Sequence, residues 1–160
     1  MPELHQLTAT QLLEGYRTQA FSPLDVAETL ISHIDQWEPH INALYTYRPE
    51  SLLETAEAST RRWAKGEPGG ALDGVPITLK ELIATKGMPV PGGTGLGEQA
   101  VAREDAPPAA RLAEDHALVV AKTTCPDFGM LSSGLSSFHG LTRNPWKLAC
   151  NTGGSSSGAG

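Results

Sequence analysis

Two segments of the chain carry residue types that can do acid–base and nucleophilic chemistry together. Lys80 lies in GVPITLKE, residues 74–81, and residues 151–160 read NTGGSSSGAG. Serine hydroxyls both donate and accept protons, and glycine permits positive φ angles and a close approach of the backbone to a reacting group. The two segments therefore suggest hydrolytic chemistry that uses serine and lysine.

Lys80 has two interpretations. A lysine beside a charged residue such as Glu81 usually lies at an edge or on the surface, where its ammonium reaches water. The pattern of residues 75–82 instead predicts a buried-looking strand with Thr78 and Lys80 on one face, which places the lysine among apolar neighbours. Burial disfavours the ammonium form of a lysine and leaves a neutral amine that can take a proton from a serine.

The glycine- and serine-rich run from Gly153 to Gly158 has three interpretations. By composition it is a flexible tail or linker. It can also cradle an anion with its backbone amides, although it lacks the Gly-Lys-Ser/Thr ending of a P-loop, or it can hold a reactive serine. Asn144–Pro145 and Trp146 favour an ordered loop over a tail, because they punctuate the chain and provide a bulky anchor beside the run.

Length and charge exclude several classes of protein. The 160 residues are enough for one domain with its own core, and 39% hydrophobic with 19% charged residues are typical of a globular protein. The net charge of -6 includes no basic stripe, so neither nucleic acid nor an anionic membrane is an expected partner. The sequence shows no long apolar run and no signal-peptide pattern, which predicts a cytoplasmic protein without a membrane span.

No metal ion or cofactor is expected. Cys125 and Cys150 form neither a disulfide framework nor a zinc spacing, and both are predicted to be reduced thiols. Cys150 adjoins the glycine–serine run, but no histidine neighbours it in the sequence, which makes it a weak candidate for a nucleophile. The histidines show no metal-binding spacing; they are His5, His33, His40, His116 and His139.

Helical and strand patterns alternate along the chain, which predicts an α/β fold and one domain. Four helices are predicted. The first begins at a capping box of Thr8 and Gln11 and runs through Tyr16, and the second begins at Ser22 and Pro23 and ends at Trp37 and Pro39. The third runs from Pro49 through Trp63, and the fourth begins at Asp105 and Pro107 and runs through Leu112. Ile41–Tyr47 is predicted to be a strand or an extended segment, and Val75–Leu82 and Ala117–Ala121 are predicted strands. A structured loop is predicted over Ala84–Gly97 and a loop-like region over Pro126–Gly160.

Four motifs occur in an order and at a spacing that resemble the amidase signature family. They are Gly74–Lys80 (GVPITLK), Lys122–Met130 (KTTCPDFGM), Thr142–Trp146 (TRNPW) and Gly153–Ser156 (GGSS), and the resemblance extends from about Leu7 to the last residue. The resemblance implies an α/β fold with a mixed central sheet covered by helices, incomplete in this chain. Residues 1–160 would then be the N-terminal part of a single domain, with a helical region over about 7–65 and an α/β core from about 71.

The family resemblance also implies a catalytic triad of a lysine, a serine with a cis peptide bond and a nucleophilic serine. Lys80 matches the lysine and Ser155 matches the cis serine, with Gly153, Gly154 and Ser156 as supporting residues. The implied nucleophile has no matching position in this chain, so neither Ser156 nor Ser157 is a candidate for it. Since an amidase without its nucleophile and oxyanion hole has lost its main catalytic groups, the chain alone is expected to be inactive.

Gly129 and Met130 match a family loop beside the scissile group and are candidates for the substrate pocket. Met130 is equally explained as a flexible residue of the core. Glu81 stands where the family often has an aspartate, which removes no residue of the proton relay.

The implied function is hydrolysis of the C–N bond of a carboxylic amide through a serine acyl-enzyme. The expected partners are a small-molecule amide and the missing C-terminal portion of the same domain, and a homodimer is left open. The alternatives are a non-catalytic anion-binding module, a naturally truncated and inactive partner protein, and the family-member subunit of a tRNA-dependent amidotransferase. Lys80–Glu81–Leu82 differs from the Lys-Asp-Asn of the amidotransferase branch, which favours a stand-alone amidase.

Overall fold

The computed structural model describes residues 3–96 and 99–160. Its α-helices are α1, Ala9–Arg17; α2, Pro23–Ile41; α3, Pro49–Lys65; and α4, Pro107–Glu114. Its strands are β1, Leu44–Tyr45; β2, Pro76–Lys80; β3, Leu118–Thr123; β4, Leu135–Ser136; β5, Gly140–Leu141; β6, Arg143–Asn144; and β7, Lys147–Asn151. Short 3-10 turns occupy Leu4–Gln6, Asp127–Gly129 and Ser157–Ala159.

The chain forms two compact units. The first consists of the described residues up to Gln36, with Arg48–Ile77 and Arg111–Val120. The second consists of Trp37–Tyr47, the described residues of Thr78–Ala110, and Ala121–Gly160. The sequence prediction of a single domain with a helical region and an α/β core stays a prediction.

A hydrophobic cluster forms the core of the first unit. Leu12 and Tyr16 of α1 pack with Val26 of α2. Because Leu12 and Tyr16 are four residues apart, they lie on one face of the helix. The predicted capping box of Thr8 and Gln11 at the start of α1 is confirmed. Partly buried apolar side chains surround the cluster: Leu4, Leu7, Leu13, Phe21, Leu30 and Trp63.

A buried aspartate ties the residues before β2 to helix α3. The Asp73 carboxylate accepts hydrogen bonds from the Ser59 hydroxyl at 2.6 Å, the Gly69 amide at 2.7 Å, and Arg62 Nε and Nη2 at 2.7 and 2.6 Å. Burial alone would raise the pKa of Asp73, but the hydrogen bonds from Arg62, Gly69 and Ser59 and the charge of Arg62 outweigh it, so that the pKa is lowered. The carboxylate is therefore buried, charged and well paired.

Two further side chains hold the turn that leads into β2. Trp63 Nε1 donates to the Asp73 carbonyl at 3.1 Å, and the Tyr16 hydroxyl donates to the Gly74 carbonyl at 2.9 Å. Gly74 has a φ of 82°, and a Cβ on this residue would lie 2.7 Å from the Ser59 hydroxyl. The turn therefore requires glycine at this position.

Strands β1, β3 and β2 form a three-stranded sheet in that order. β1 runs antiparallel to β3, with Leu44 opposite Thr123 and Tyr45 opposite Lys122. One residue beyond β2, the Glu81 amide donates to the Thr123 carbonyl at 3.0 Å. Five of the six residues of β3 are buried, as expected for a strand with neighbours on both sides.

The prediction for the end of α2 and for the strand after it is wrong in detail. The helix continues through Pro39 to Ile41, because the Asn42 amide donates to the Glu38 carbonyl at 2.9 Å. The Glu38 carboxylate then accepts the next two backbone amides, at 3.1 and 2.8 Å. Of the strand or extended segment predicted over Ile41–Tyr47, only β1 is a strand, since Asn42 and Thr46 have φ values of 53° and 54°, outside the extended region.

The region predicted as loop-like, Pro126–Gly160, contains two short antiparallel pairs. β4 pairs with β5, and β6 pairs with β7. Three of these four strands are two residues long, which is too short to produce a periodic sequence pattern. The loop predicted over Ala84–Gly97 ends at a residue outside the described part of the chain.

Within residues 3–96 and 99–160, no helix combines the length and apolar character needed to cross a bilayer.

Asp73→Ala should lower the free energy of unfolding by about 3 kcal/mol or more, because it leaves the Arg62 guanidinium, a hydroxyl and a backbone amide without their acceptor. Urea unfolding followed by circular dichroism measures the loss. Glu57→Ala is the control, since it removes the exposed 3.5 Å pair with Arg61 on the same helix and should cost less than about 1 kcal/mol. Equal losses in the two variants would contradict this account of Asp73.

Candidate active site

The structure brings Lys80 and Ser155 together. Lys80 ends β2 and is half-buried, and its Nζ lies 2.8 Å from the Oγ of the half-buried Ser155, 75 residues later in the chain. Thr78 is exposed, so the apolar surroundings predicted for its face of the strand are only partly present. At 2.8 Å a proton can pass between the amine and the hydroxyl.

The loop before Ser155 depends on two glycines. The peptide bond between Gly154 and Ser155 is cis, and Gly153 has a φ of 79°. A Cβ on Gly154 would lie 2.6 Å from the Ser133 carbonyl oxygen, a distance that no side chain could occupy without displacing backbone. The absence of side chains at these two positions lets the backbone turn and places Ser155 against Lys80.

The residues after Ser155 are held by hydrogen bonds and do not form a flexible tail. Ser157 is buried, and its hydroxyl donates to the Ser133 carbonyl at 3.1 Å. The Gly158 amide donates to the Thr124 carbonyl at 3.1 Å. Ser156 is exposed, and its carbonyl accepts the amides of the last two residues. The run is an ordered loop, as its flanking residues indicated.

The predicted aromatic anchor beside this loop is wrong, because Trp146 is 95% exposed. Asn144 Oδ1 instead accepts the Trp146 amide at 2.9 Å and shapes the turn between β6 and β7. Asn151 Oδ1 accepts the amides of Gly134 at 3.1 Å and Gly153 at 2.7 Å. Asparagine side chains bonded to backbone, rather than aromatic packing, therefore order this segment.

Gly129 lies beside the lysine–serine pair. A Cβ on Gly129 would lie 3.9 Å from Lys80 Nζ and 2.6 Å from Leu82 Cδ1, so a side chain there would displace Leu82 and contact the amine. Met130 is 81% exposed, which excludes its interpretation as a core residue. That both residues border a substrate pocket stays a prediction.

The acid next to the lysine is buried, which was not predicted from the sequence. Glu81 is wholly buried; Cys125 Sγ donates to its Oε1 at 2.8 Å, and His139 Nε2 lies 2.6 Å from its Oε2. Burial, followed by the hydrogen bond and charge of Glu81, raises the pKa of the Cys125 thiol to about 12, so the thiol stays protonated. The one signal in the sequence was a charged residue in a run predicted to be buried. Its partners lie 44 and 58 positions away and cannot be found by spacing.

A second lysine fixes the chain that follows Glu81. Lys122 of β3 is wholly buried, and its Nζ donates to the Ile83 carbonyl and, at 3.0 Å, to the Thr85 hydroxyl. Burial lowers the pKa of Lys122, and the charges of Glu81 and Asp105 partly offset that effect. Lys122 is therefore committed to anchoring this loop.

Hydrogen bonds also hold the loop that carries His139. The Asp127 carboxylate accepts the hydroxyl and the amide of Ser137, the amide at 2.9 Å, and these two bonds lower the pKa of Asp127. Asn42 Nδ2 donates to the His139 carbonyl at 2.7 Å. The imidazole packs edge-on against the Tyr45 ring, with centroids 5.0 Å apart. Asn42 therefore holds the backbone of His139, while the imidazole itself contacts Tyr45 and Glu81.

Both cysteines are free thiols, as predicted, with Cys125 buried and Cys150 exposed. In the part of the chain that the structure describes, no group of three or more histidine, cysteine, aspartate or glutamate residues could hold a metal ion. The chemistry that the geometry provides is proton transfer between Lys80 and Ser155.

The chain is similar in sequence to known amidases and amidotransferase subunits. The family model named Amidase matches residues 25–160. The matching subunit of the glutamyl-tRNA(Gln) amidotransferase of Geobacter metallireducens is 37% identical over 157 residues, which make up 98% of this chain and 32% of that protein. The chain thus spans about a third of the length of the curated relatives it matches.

Solved amidase structures share the fold. A bacterial aryl acylamidase of the amidase signature family superposes with a TM-score of 0.86 at 31% identity, over 96% of this chain and 32% of that one. The peptide amidase of Stenotrophomonas maltophilia superposes with a TM-score of 0.84 at 26% identity, over 96% of this chain and 33% of that one. The amidase signature fold predicted from the sequence is confirmed for the portion present.

Alkaline pH should destabilise the protein in part through Cys125. Because the pKa of the native thiol, about 12, lies above its ordinary value of 9.0, the native state keeps a proton that the unfolded state releases. This stabilisation is complete below pH 9.0 and is lost as the pH rises through about 12. The free energy of unfolding, measured in urea across that range, should therefore fall more steeply in the wild type than in Cys125→Ala.

Cys150→Ala is the control for this prediction, since it removes the exposed thiol and should keep the wild-type pH dependence. A Cys125→Ala variant whose stability falls with pH as steeply as the wild type would show that the buried thiol does not carry the effect.

Proposed function

Because the chain belongs to the Amidase family, we propose that Lys80 and Ser155 serve the hydrolysis of a carboxylic amide through a serine acyl-enzyme. The observation that carries the proposal is the 2.8 Å contact between Lys80 Nζ and Ser155 Oγ. The relatives named aryl acylamidase and peptide amidase support the reaction class. The substrate class is a small molecule or peptide with an amide C–N bond.

In this proposal protons move along a line from the nucleophile through Ser155 to Lys80. Neutral Lys80 Nζ takes the Ser155 proton while Ser155 takes the proton of the nucleophilic serine, whose oxygen attacks the amide carbonyl carbon. The relay then runs in reverse and protonates the leaving nitrogen as the C–N bond breaks, which leaves an ester between the serine and the acyl group. Water gives a proton to the relay as its oxygen attacks the ester carbonyl carbon. The C–O bond to the serine then breaks, the carboxylic acid leaves, and the relay returns the proton to the serine oxygen.

We assign the nucleophile to a serine outside residues 1–160. Ser157 is buried with its hydroxyl committed to the Ser133 carbonyl, and Ser156 lies exposed beside it. The curated relative from Geobacter metallireducens is about three times as long as the matched part, which leaves room for such a serine. The 160-residue chain assayed alone is therefore expected to lack amidase activity.

Gly129 and Met130 are proposed to border the acyl group of the substrate. A Cβ on Gly129 would stand 3.9 Å from Lys80 Nζ, so glycine keeps the space beside the amine open. The exposed Met130 offers a flexible apolar surface that can adapt to different acyl groups. Gly153, Gly154 and Ser156 support the site by shaping the loop that presents Ser155.

Lys80→Met should lower kcat for the hydrolysis of para-nitroacetanilide by about 10²- to 10⁴-fold, because it removes the group that accepts the proton. Ser155→Ala should lower it comparably. The assay uses protein that carries residues 1–160 together with the segment that bears the nucleophile. Lys86→Met is the matched control, since it removes an exposed lysine and should keep wild-type turnover. Wild-type turnover in Lys80→Met would overturn the proposal.

The second candidate function is that of an amidotransferase subunit, because the curated relatives at 36% to 37% identity carry that name. An assay of amide transfer to glutamyl-tRNA(Gln), with glutamine as donor, separates the two functions. A stand-alone amidase should cleave the anilide without partner proteins and transfer nothing to the tRNA. Transfer that requires additional subunits, with no anilide cleavage, would favour the amidotransferase.

A further inference from the structure

Leu82 is an exposed apolar residue that the proposed reaction does not use. It lies two positions after Lys80, and 39% of its surface is accessible to water. A single exposed leucine is ordinary on the surface of a protein. Leu82 differs from an ordinary surface leucine because its side chain is held beside the lysine–serine pair.

Hydrogen bonds on both sides of Leu82 hold the backbone that carries it. Before it, the Glu81 amide donates to the Thr123 carbonyl at 3.0 Å. After it, the Ile83 carbonyl accepts a hydrogen bond from Nζ of the buried Lys122. The side chain of Leu82 is therefore exposed on a fixed stretch of backbone.

Two glycines flank the Leu82 side chain. A Cβ on Gly92 would lie 3.8 Å from Leu82 Cδ2, and a Cβ on Gly129 would lie 2.6 Å from Leu82 Cδ1. The Phe128 amide donates to the Gly92 carbonyl at 2.6 Å, which joins the two glycine-containing segments. The Cδ1 methyl group of Leu82 therefore takes the place that a side chain at position 129 would need.

The same geometry places Leu82 close to the Lys80 amine. The point at which a Cβ on Gly129 would stand is 2.6 Å from Leu82 Cδ1 and 3.9 Å from Lys80 Nζ. The methyl group and the amine are thus no farther apart than these two distances together. Because Ser155 Oγ lies 2.8 Å from the same amine, a polar pair and an apolar side chain border one site. Sites for small molecules combine polar and apolar groups in this way.

We propose that Leu82 is a specificity-determining residue that contacts the acyl group of the substrate and selects apolar acyl groups. The inference rests on the proposed amide hydrolysis and on the assignment of Gly129 to the acyl side. An apolar acyl chain that covers the Leu82 methyl groups leaves water favourably, whereas a polar group there would lose its hydrogen bonds to water and gain none from leucine. Lys80 and Ser155 act on the amide bond, and Leu82 determines which acyl group binds beside them.

Two anilides with the same leaving group test this role. Para-nitrobutyranilide has a longer acyl chain than para-nitroacetanilide, and the additional buried methylenes should give it a kcat/KM about tenfold higher in the wild type. Leu82→Asn keeps the approximate size of the side chain and makes it polar, so this preference should fall to about twofold or less. The assay uses protein that carries residues 1–160 together with the segment that bears the nucleophile.

Leu148→Asn is the matched control, because it makes the same change at a leucine that is 41% exposed on β7. It should keep the wild-type preference for the longer acyl chain. If Leu82 only packs against the rest of the protein, Leu82→Asn should instead lower the turnover of both anilides by the same factor. An unchanged ratio of the two kcat/KM values in Leu82→Asn would therefore overturn the inference.

Leu82→Ala keeps the test decisive if Leu82→Asn does not fold. It leaves the position apolar and removes the two methyl groups, so its preference should move to the longer chain of para-nitrohexananilide, which can fill the vacated space. The wild-type order of preference among the three anilides in Leu82→Ala would also contradict the role of Leu82.

Binding separates this inference from the proposed function. If the wild type cleaves none of the anilides, calorimetry measures their dissociation constants directly. Tighter binding of the butyranilide than of the acetanilide, lost in Leu82→Asn, would then reject the proposed function alone, and equal binding of the two anilides would reject the role of Leu82 as well. Cleavage that depends on Lys80, with the same acyl preference in the wild type and Leu82→Asn, would reject the role of Leu82 alone.

Discussion

The burial of the Glu81 side chain directly behind Lys80 is the constraint on which the rest of the second unit depends. A carboxylate removed from water costs several kcal/mol unless hydrogen-bond donors replace its hydration. The donors are Cys125, just after β3, and His139, just before β5. Satisfying one acid therefore fixes three separate parts of the chain. Because Lys80 precedes that acid, the amine that contacts Ser155 is fixed with them.

Side chains bonded to backbone or to each other, more than long helices or strands, order the second unit beyond β3. The Thr124 and Thr142 hydroxyls lie 2.7 Å apart, and Thr142 donates onward to the Asn42 carbonyl at 2.8 Å. The backbone at Gly93 also lies close to the backbone at Pro126, since a Cβ on Gly93 would lie 2.2 Å from the Pro126 carbonyl oxygen. Each such contact specifies one position of the chain, so loops can hold reacting groups as firmly as regular elements do.

The sequence predicted the parts of the molecule that rest on local rules. Capping at Thr8 and proline at the first position of α3 placed two helix starts, and these depend only on residues a few positions apart. The resemblance to a family paired Lys80 with Ser155. It did not find the Glu81–His139 contact, because a hydrogen bond across 58 positions leaves no periodic signal. The strand or extended segment predicted over Ile41–Tyr47 is interrupted for a related reason, because an apolar and aromatic composition does not reveal the left-handed conformation at Thr46.

Three consecutive serines show how position rather than residue type determines chemistry. Ser155 lies 2.8 Å from an amine, whereas the Ser157 hydroxyl is buried and donates to a carbonyl, and Ser156 is exposed to water. A hydroxyl bonded to a carbonyl oxygen can only donate along that contact, whereas one beside an amine can give its proton away and receive another. Of the three, Ser155 alone therefore has the partner that a proton relay requires. By residue type the three serines are equivalent. Gly153 and Gly154 fix the path of the backbone before them and thereby give each serine different hydrogen-bond partners.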